Sequence, residues 1–448
     1  MHRSTLIRLL YTGLGAVAVL AAAISEVNST GLIIVACSVC LLICAAFYKF
    51  DYLHPVLAYL LPWLMILVFS IVPISAHARP MEPATYNVLL ITMFAWMAGC
   101  VISPAAPAAR GSLSSNIRGL PLLSEFRASF GLTVGIAFVV LYVFAAINIL
   151  LAGYIPLLSL ITTGNSRYDE FGVPSVYGAF LAYANALGCI AFYIYLRSGR
   201  RTYLSLFVSV LLMHLAFVTR QNIATLLIEA FVIRSISVKR FSRFTMIWSI
   251  AISLLAFAAL GALRSGDIKQ IIAVEPQFDW IPSSLIWVYA YSYFNALNID
   301  NMIATSGAPF FDGYMWQSLI PTAFRPDLDH GTYLEIANMT VSSYILPVYI
   351  DIGKGVALWT MAVGYVTTFA YQRAFQRSRF VDLATYGCLY FCALFSFFSN
   401  CWLYLPVIFQ LVFFWIFHVL LFVPQSRATH PAQANEVPAR DTGLTNLP

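Results

Sequence analysis

The sequence predicts an all-α integral membrane protein of about twelve transmembrane helices with one long extracytoplasmic loop. Its composition is the first reason. Of the 448 residues, 60% are hydrophobic and only 10% are charged, and the mean hydropathy is +0.81. A soluble domain usually carries about 25% charged residues. Lipid is therefore the expected solvent for most of the surface.

Apolar windows of about 17 to 25 residues, long enough to cross the hydrocarbon core, recur along the chain and are the second reason. Short polar loops separate most of them. They predict spans at 6–24, 31–48, 55–75, 85–102, 128–152, 175–196, 203–219, 222–238, 245–263, 342–371, 382–399 and 403–423.

Positive charge falls in alternate loops, which the positive-inside bias assigns to the cytoplasm. Of the 25 Lys and Arg residues, seven remain for the outer face: Arg79, Arg167, Arg220, Arg264, Lys269, Arg325 and Lys354. An even number of spans returns the C-terminus to the cytoplasm. Residues 1–424 then form a single transmembrane domain, and 425–448, rich in Pro, Ala, Asn and Thr, is predicted to be a disordered tail.

Two segments interrupt the pattern of helix and short loop, at about 153–174 and at about 264–342. The second is the long outer loop. Within it, Ser283 to Ile303 is aromatic, only moderately apolar, and ends in asparagines. This composition predicts an amphipathic helix on the outer leaflet or dipping into it. The alternative is a re-entrant or additional span, which would invert the orientation of everything after it.

The ionisable residues His214 and Glu229 lie deep within two consecutive predicted spans. His214 and Glu229 flank the tight outer turn that begins at Arg220, and both lie about 9 to 13 Å of helical rise below it. Such groups usually face a protein interior or a wet cavity. One interpretation is a buried His–Glu or Glu–Arg contact that fixes helix packing. The other is a polar wall beneath a catalytic cavity.

The stretch from about 160 to 370 resembles the O-antigen polymerase (Wzy) type of oligosaccharide repeat-unit polymerase. The order of several weak motifs makes the resemblance: Gly164-Asn165-Ser166-Arg167, Thr219-Arg220-Gln221-Asn222, Leu260-Gly261-Ala262-Leu263-Arg264, Tyr291-Ser292-Tyr293-Phe294-Asn295, Asn338-Met339-Thr340 and Tyr349-Ile350-Asp351-Ile352-Gly353-Lys354-Gly355. The last departs from the family's Asp-Phe-Gly-x-x-Gly pattern, because its glycine spacing is shorter.

The resemblance implies a GT-C-like polytopic enzyme of the bacterial inner membrane. Such enzymes are metal-independent glycosyltransferases that need no cofactor. They join undecaprenyl-diphosphate-linked oligosaccharide repeat units at the outer face, producing O-antigen, capsule or exopolysaccharide. The implied partners are the lipid-linked oligosaccharide, membrane lipids, a chain-length regulator and a flippase.

The chemistry of such a reaction points to particular residue types. A sugar hydroxyl attacks an anomeric carbon and a lipid diphosphate leaves, so positive charge must be aimed at the leaving group. The candidates for diphosphate binding are Arg167, Arg220, Arg264 and Arg325. A general base would take the hydroxyl proton; Asp351, His330 and Asp169 are the leading candidates, with Glu170, Asp327, Asp329 and Glu335 also open. The expected sugar-binding residues are Tyr293, Asn295, Asn338 and Tyr349.

Other functions are less consistent with the sequence. No basic run interleaves with aromatics, which argues against nucleic acid as a partner. Cys37, Cys40 and Cys44 follow helical spacing but have no accompanying His or carboxylate, so no metal site is expected. An O-antigen ligase is the nearest alternative, since related ligases use an outer-loop histidine. A transporter or flippase is the second, although no repeat of broken helices is evident in the two halves.

Overall fold

The computed structural model describes residues 51–70, 72–103, 126–165, 167, 170–173, 176–238, 267–305, 309–328, 330, 333–336 and 343–423. This part of the chain is all-α, as predicted. Its only extended pairings are two isolated bridges, Ser75 with Val274 and Phe126 with Phe422. The predicted spans 6–24, 31–48 and 245–263 and the predicted tail lie outside the described residues.

The helices are labelled in chain order. They are α1 (Pro55–Phe69), α2 (Pro83–Ile102), α3 (Phe130–Ala152), α4 (Pro156–Thr163), α5 (Val176–Ser198), α6 (Arg201–Ala216), α7 (Arg220–Val238), α8 (Ser283–Thr305), α9 (Ile345–Ile352), α10 (Val356–Arg377), α11 (Phe380–Leu394) and α12 (Leu405–Leu421). A one-turn helix at Ile268–Ile271 and 3₁₀ turns at Pro276–Phe278, Tyr314–Leu319, Thr322–Phe324, Gly353–Gly355 and Cys401–Leu403 connect them.

Four helical stretches in the described part are long and apolar enough to cross a membrane: Pro83–Ile102, Phe130–Thr163, Val176–Ser198 and Ile345–Arg377. Four shorter apolar helices, α1, α6, α11 and α12, accompany them. These elements indicate a multi-pass membrane protein. They do not support a count of twelve spans, because several predicted windows form helices of 17 residues or fewer.

The long apolar stretches differ in how much protein surrounds them. In Val176–Ser198, 78% of the most apolar window is buried, whereas in Phe130–Thr163 only 33% is. Leu132, Leu150 and Leu151 of α3 are among the most exposed aliphatic side chains of the described part. Helix α5 therefore lies inside the bundle, and α3 lies at its periphery with one apolar face turned outward.

A helix is present at 283–303, as predicted, and its position in the outer leaflet stays a prediction. Helix α8 runs for 23 residues, about 35 Å of rise, and it lies inside the bundle against α1. Residues on several faces of it are fully buried, among them Trp287, Tyr293 and Asn298. Its aromatic and amide side chains lower its hydropathy, which is why the sequence resembles an interfacial helix, and connecting segments of the chain supply hydrogen-bond partners for Tyr293, Asn295 and Asn298.

The predicted span 342–371 is interrupted. Helix α9 ends at Ile352, the 3₁₀ turn Gly353–Gly355 follows, and α10 continues from Val356. The backbone of Gly353 has φ 56° and ψ −130°, a conformation that only glycine adopts readily. A run of apolar residues concealed this break in the sequence. The long outer loop likewise contains regular structure, chiefly α8.

The tightest helix crossing in the described part lies between α2 and α10. Gly99 faces the backbone of α10 so closely that a Cβ atom there would lie 2.1 Å from the carbonyl oxygen of Met361. Gly364 faces α2 in the same way, with the carbonyl oxygen of Trp96 at 2.9 Å from its ideal Cβ position. Two glycines on facing helices therefore permit backbone-to-backbone packing, as in other membrane helix pairs.

Contacts between connecting segments agree with the assignment of loops from charge. The backbone N–H of Arg127 donates to the carbonyl of Leu421 at 2.9 Å, which joins two segments predicted to be cytoplasmic. The N–H of Ala76 donates to the carbonyl of Ala273 at 2.9 Å, which joins two predicted outer segments. Loops assigned to the same side of the membrane thus meet at the same end of the bundle.

Labelling of single cysteines tests the orientation. Asp327, Arg200 and Gln376 are all exposed, and the charge pattern puts the first outside and the other two inside. In a cysteine-free background, we expect an impermeant maleimide to label intact cells carrying Asp327→Cys but not Arg200→Cys or Gln376→Cys. Labelling at positions 200 and 376 with protection at 327 would reverse the orientation.

Substitution of the crossing glycine tests the packing. Gly99→Ala places a methyl group against the backbone of α10, and overpacking of this kind costs about 1 to 3 kcal/mol. We expect a lower melting temperature in detergent. Gly135→Ala is the matched control, because Gly135 lies in a helix with no atom near its Cβ position. Equal melting temperatures for both variants would contradict the close crossing.

Candidate functional site

The break between α9 and α10 holds the centre of the candidate site. The loop that begins at Pro309 packs against the end of α9, where the N–H groups of Phe310 and Phe311 donate to the carbonyls of Ile350 and Asp351 at 3.0 and 3.1 Å. Oδ1 of Asp351 accepts from the N–H of Gly313 at 2.8 Å. Asp351 is 3% exposed. This candidate base therefore anchors the loop.

His330 and Asp312 contact each other on this loop. Nε2 of His330 lies 3.0 Å from Oδ2 of Asp312, although the carboxylate lies off the direction of the ring N–H. The imidazole is packed between the rings of Phe310 and Tyr314, at centroid distances of 4.5 and 4.7 Å. Its side chain is 7% exposed. Two of the predicted candidate bases therefore contact the same loop: Asp351 through Gly313 and His330 through Asp312.

The contact with Asp312 defines how the imidazole can act. A carboxylate beside Nε2 favours a proton on that nitrogen, which leaves Nδ1 of the neutral ring as the acceptor. The carboxylate also stabilises the imidazolium that forms when Nδ1 takes a proton. A loose geometry before substrate binding is common in such pairs. Asp312 was not among the candidates from sequence, because only the folded loop brings it to His330.

The tyrosine beside this pair has a perturbed pKa. Burial raises the pKa of the Tyr314 phenol, and the nearby Tyr333 and Asp312 raise it further. The phenol therefore stays protonated through the physiological range. It can donate a hydrogen bond near the His330 ring but cannot serve as a base there.

The arginines predicted to bind the diphosphate differ in the contacts that their guanidinium groups make. Arg325 is exposed, and its Nη2 donates to the carbonyl of Ile320 at 3.3 Å. It has no carboxylate partner in the part of the chain that the structure describes. Arg325 therefore keeps most of its donors for a ligand.

Arg167, in contrast, is paired with a carboxylate. Its guanidinium donates to Oε2 of Glu170 through Nε at 2.9 Å and Nη2 at 2.6 Å, and it lies over the ring of Tyr154. More than half of the side chain is exposed. Its backbone has φ 43°. Binding of a diphosphate by Arg167 stays a prediction, and it would have to displace Glu170.

Arg220 begins α7 and is half-buried. A cation at the positive end of a helix is unfavourable unless an anion offsets it, so its position is compatible with the predicted role. Arg264, Asp169 and Asn338 lie outside the described residues, and their predicted roles stay predictions.

The predicted sugar-binding residues that are described lie mostly inside the bundle. Tyr293 and Asn295 of α8 are each 1% exposed. The hydroxyl of Tyr293 donates to the carbonyl of Arg79, and Nδ2 of Asn295 donates to that of Phe397 at 3.3 Å. Tyr349 of α9 is half-buried. Tyr293 and Asn295 therefore act in packing here, and a direct contact with sugar stays a prediction.

A network around Arg79 was missed in the sequence. Its Nη1 lies 2.5 Å from Oδ2 of Asp300, and its Nη2 donates to Oδ1 of Asn301 at 2.5 Å and approaches Oε2 of Glu335 at 3.3 Å. The loop between α1 and α2 is thereby joined to α8 and to residues 333–336. The sequence placed Arg79 among the outer cations, and no motif around it indicated these partners.

Asp300 is the buried member of this network, at 1% exposure. Besides Arg79, its carboxylate accepts from the N–H of Glu82 at 2.8 Å and the hydroxyl of Thr85 at 2.6 Å. Burial acts to lower the pKa of Arg79, but the hydrogen bond to Asp300 and the charge of Glu335 outweigh it, so the pKa is raised. Arg79 is therefore a fixed cation in the folded protein.

The predicted contact between His214 and Glu229 is not formed. Nδ1 of His214 lies 3.1 Å from the hydroxyl of Thr219. Glu229 instead contacts Gln410 of α12 and Cys189 of α5. Both residues are fully buried, as expected, but they face different helices. Similar depth along two spans does not fix the direction in which each side chain points.

Aromatic side chains surround the loop on its outer side. Phe311 and Phe324 are 73% and 79% exposed, and Phe311 has a positive φ of 54°. Trp316 is half-exposed and meets Trp359 of α10 edge-on at 6.0 Å. Among the described residues, no group of three or more His, Cys, Asp or Glu side chains is arranged to hold a metal ion. The loop offers an exposed arginine, a carboxylate–imidazole pair and exposed rings.

Removal of Arg79 tests whether its network supports the site. Arg79→Ala would leave Asp300 buried with only neutral donors, and breaking such a pair costs about 3 kcal/mol when one partner is fully buried. We expect a lower melting temperature in detergent. The double variant Arg79→Ala with Asp300→Asn should lose less than the sum of the single variants. Additive losses would show that the two side chains are not coupled.

Comparison of the chain with protein-family models, with curated proteins and with solved structures finds no match.

Proposed function

We propose that this protein is a glycosyltransferase that polymerises undecaprenyl-diphosphate-linked oligosaccharide repeat units at the outer face of the bacterial inner membrane. The observation that carries the proposal is the loop at the α9–α10 break, where the His330–Asp312 pair shares a segment with the available guanidinium of Arg325. The sequence resemblance to the repeat-unit polymerases supplies the reaction.

The reaction requires one bond to form and one to break. The acceptor hydroxyl attacks the anomeric carbon of the donor, and the bond from that carbon to the lipid diphosphate breaks with its electron pair on the diphosphate oxygen. Nδ1 of His330 takes the hydroxyl proton, and Asp312 stabilises the resulting imidazolium. Arg325 binds the departing diphosphate, where its charge matters most in the transition state.

The exposed rings fit the handling of the growing glycan. Phe311 precedes the 3₁₀ turn Tyr314–Leu319 and Trp316 lies within it. Aromatic faces of this kind stack on the apolar faces of sugar rings. An interfacial belt in the lipid headgroup region would use the same residues. A flippase supplies the lipid-linked unit to this face in the proposed pathway, and a chain-length regulator is the expected partner.

A ligase that transfers the glycan to a lipid core is the second candidate, because an outer-loop histidine beside a cation suits either reaction. A transporter is less consistent with the helix breaks. In a chain built from two repeats, corresponding segments occur in the same order along the sequence. At the first break the long helix α3 comes before the short helix α4. At the second break the short helix α9 comes before the long helix α10. The two interruptions therefore do not correspond.

Gel analysis of the surface glycan distinguishes these functions. After deletion of the gene in its native host, we expect the ladder of glycan lengths to collapse to single repeat units. Loss of every capped core would indicate a ligase or flippase. Reintroduction of the wild-type gene should restore the ladder, whereas His330→Gln should not, because loss of a general base slows a reaction by about 100-fold to 10,000-fold.

Two further variants sharpen this experiment. Arg325→Lys keeps the charge but loses the fork geometry, and we expect a loss of about 30-fold or more in polymerisation. His77→Gln is the matched control, since His77 is an exposed histidine at the same end of the bundle, and it should restore the ladder fully. Full activity of both His330→Gln and Arg325→Lys would remove this loop from the site.

A further inference from the structure

Glu229 lies in the middle of the bundle, away from the proposed catalytic loop. It belongs to α7 and is 0% exposed. Helix α11 closes one side of it, because a Cβ atom on Gly387 would lie 3.2 Å from the Cα atom of Glu229. Bulk water therefore has no access to this carboxyl group in the folded state.

The polar neighbours of Glu229 are all neutral groups. Nε2 of Gln410 lies 2.8 Å from Oε1 and 2.7 Å from Oε2. Sγ of Cys189 lies 3.0 Å from Oε2, and the thiol of Cys388 is within hydrogen-bonding reach. Gln410, Cys189 and Cys388 are buried themselves. No Lys, Arg or His side chain contacts this carboxyl within the described ranges.

An ionised carboxylate in this position would be an uncompensated buried charge. Desolvation of such a charge costs several kcal/mol even after relaxation, and the partners described for it are neutral groups, so no opposite charge offsets that cost. A neutral carboxylic acid avoids the desolvation cost. It also keeps these partners, because its oxygens can still accept from the amide of Gln410 and the thiol of Cys189.

A line of polar side chains leads from this carboxyl toward the turn at Arg220. One helical turn from Cys189, Nδ2 of Asn185 donates to Oδ1 of Asn222 at 3.1 Å. Oδ1 of Asn185 and Nε2 of His214 are buried and have no hydrogen-bond partner in the described part. Thr219 donates to the carbonyl of His214 and so accepts from its Nδ1–H, which leaves Nε2 as an acceptor. Buried acceptors of this kind are places where water is held.

We propose that Glu229 is an exchangeable proton-binding site in the membrane core. The carboxyl group, in contact with Gln410 and Cys189, carries a proton in the folded protein at neutral pH. The polar groups of α5, α6 and α7 give that proton a route to the outer end of the bundle. The proposal is independent of the glycan chemistry, because it uses none of the residues of the catalytic loop.

Infrared difference spectroscopy of the purified protein tests the proposal. The spectrum of the wild type minus that of Glu229→Gln at neutral pH should contain the C=O stretch of one carboxylic acid. In D₂O, this band should move to lower wavenumber as the proton exchanges. A difference spectrum with only carboxylate bands would overturn the proposal, as would an acid band that does not respond to D₂O.

Two variants guard against a folding defect and against misassignment. Gln410→Met removes the amide donor but keeps Glu229, and we expect the acid band to persist at higher wavenumber because its C=O loses a hydrogen bond. If neither the wild type nor Gln410→Met showed the carboxylic-acid band, the proposal would be contradicted. This outcome does not depend on whether Glu229→Gln folds. Glu170→Gln removes an exposed, arginine-paired carboxylate, and its difference spectrum should contain carboxylate bands only.

Discussion

The candidate site depends on the satisfaction of backbone carbonyls where a helix is interrupted. In a membrane bundle, an irregular backbone is tolerated only where protein or water supplies the missing hydrogen bonds. At the end of α9, Phe310 and Phe311 supply two of them, and Asp351 holds Gly313 through its side chain. Release of the loop would leave these carbonyls unpaired, so the position of His330 is linked to the interruption itself.

The ion-pair network of Arg79 also supports the candidate site. The Arg79 network joins three segments distant in sequence, and its buried anion, Asp300, has donors on both sides of the α1–α2 loop. Asn301 adds a link to the carbonyl of Tyr333, which lies near Tyr314. The two cations thus differ in their partners: Arg79 has three side-chain oxygen partners, whereas among the described residues Arg325 donates only to a backbone carbonyl.

The sequence predicted the helical class and the approximate positions of most described helices, because apolar length reports directly on membrane burial. It also pointed to Asp351 and His330. It failed where the outcome depends on partners distant in the chain. Nothing in the sequence of α8 shows, for example, that Asn298 accepts a hydrogen bond from the N–H of Glu335 at 2.8 Å. The pairing of His330 with Asp312 likewise depends on how one loop folds, which no local pattern records.

The unequal burial of α3 and α5 has a consequence for biogenesis. A segment whose side chains face lipid in the finished protein, like α3 with Leu132 and Leu150, is stable in the bilayer as soon as the translocon releases it. Helix α5 carries Asn185 toward Asn222 and is mostly enclosed by protein, so its final environment exists only after later helices arrive. Insertion and assembly of this chain are therefore separate stages, and α5 must wait for α7 before its amide finds a partner.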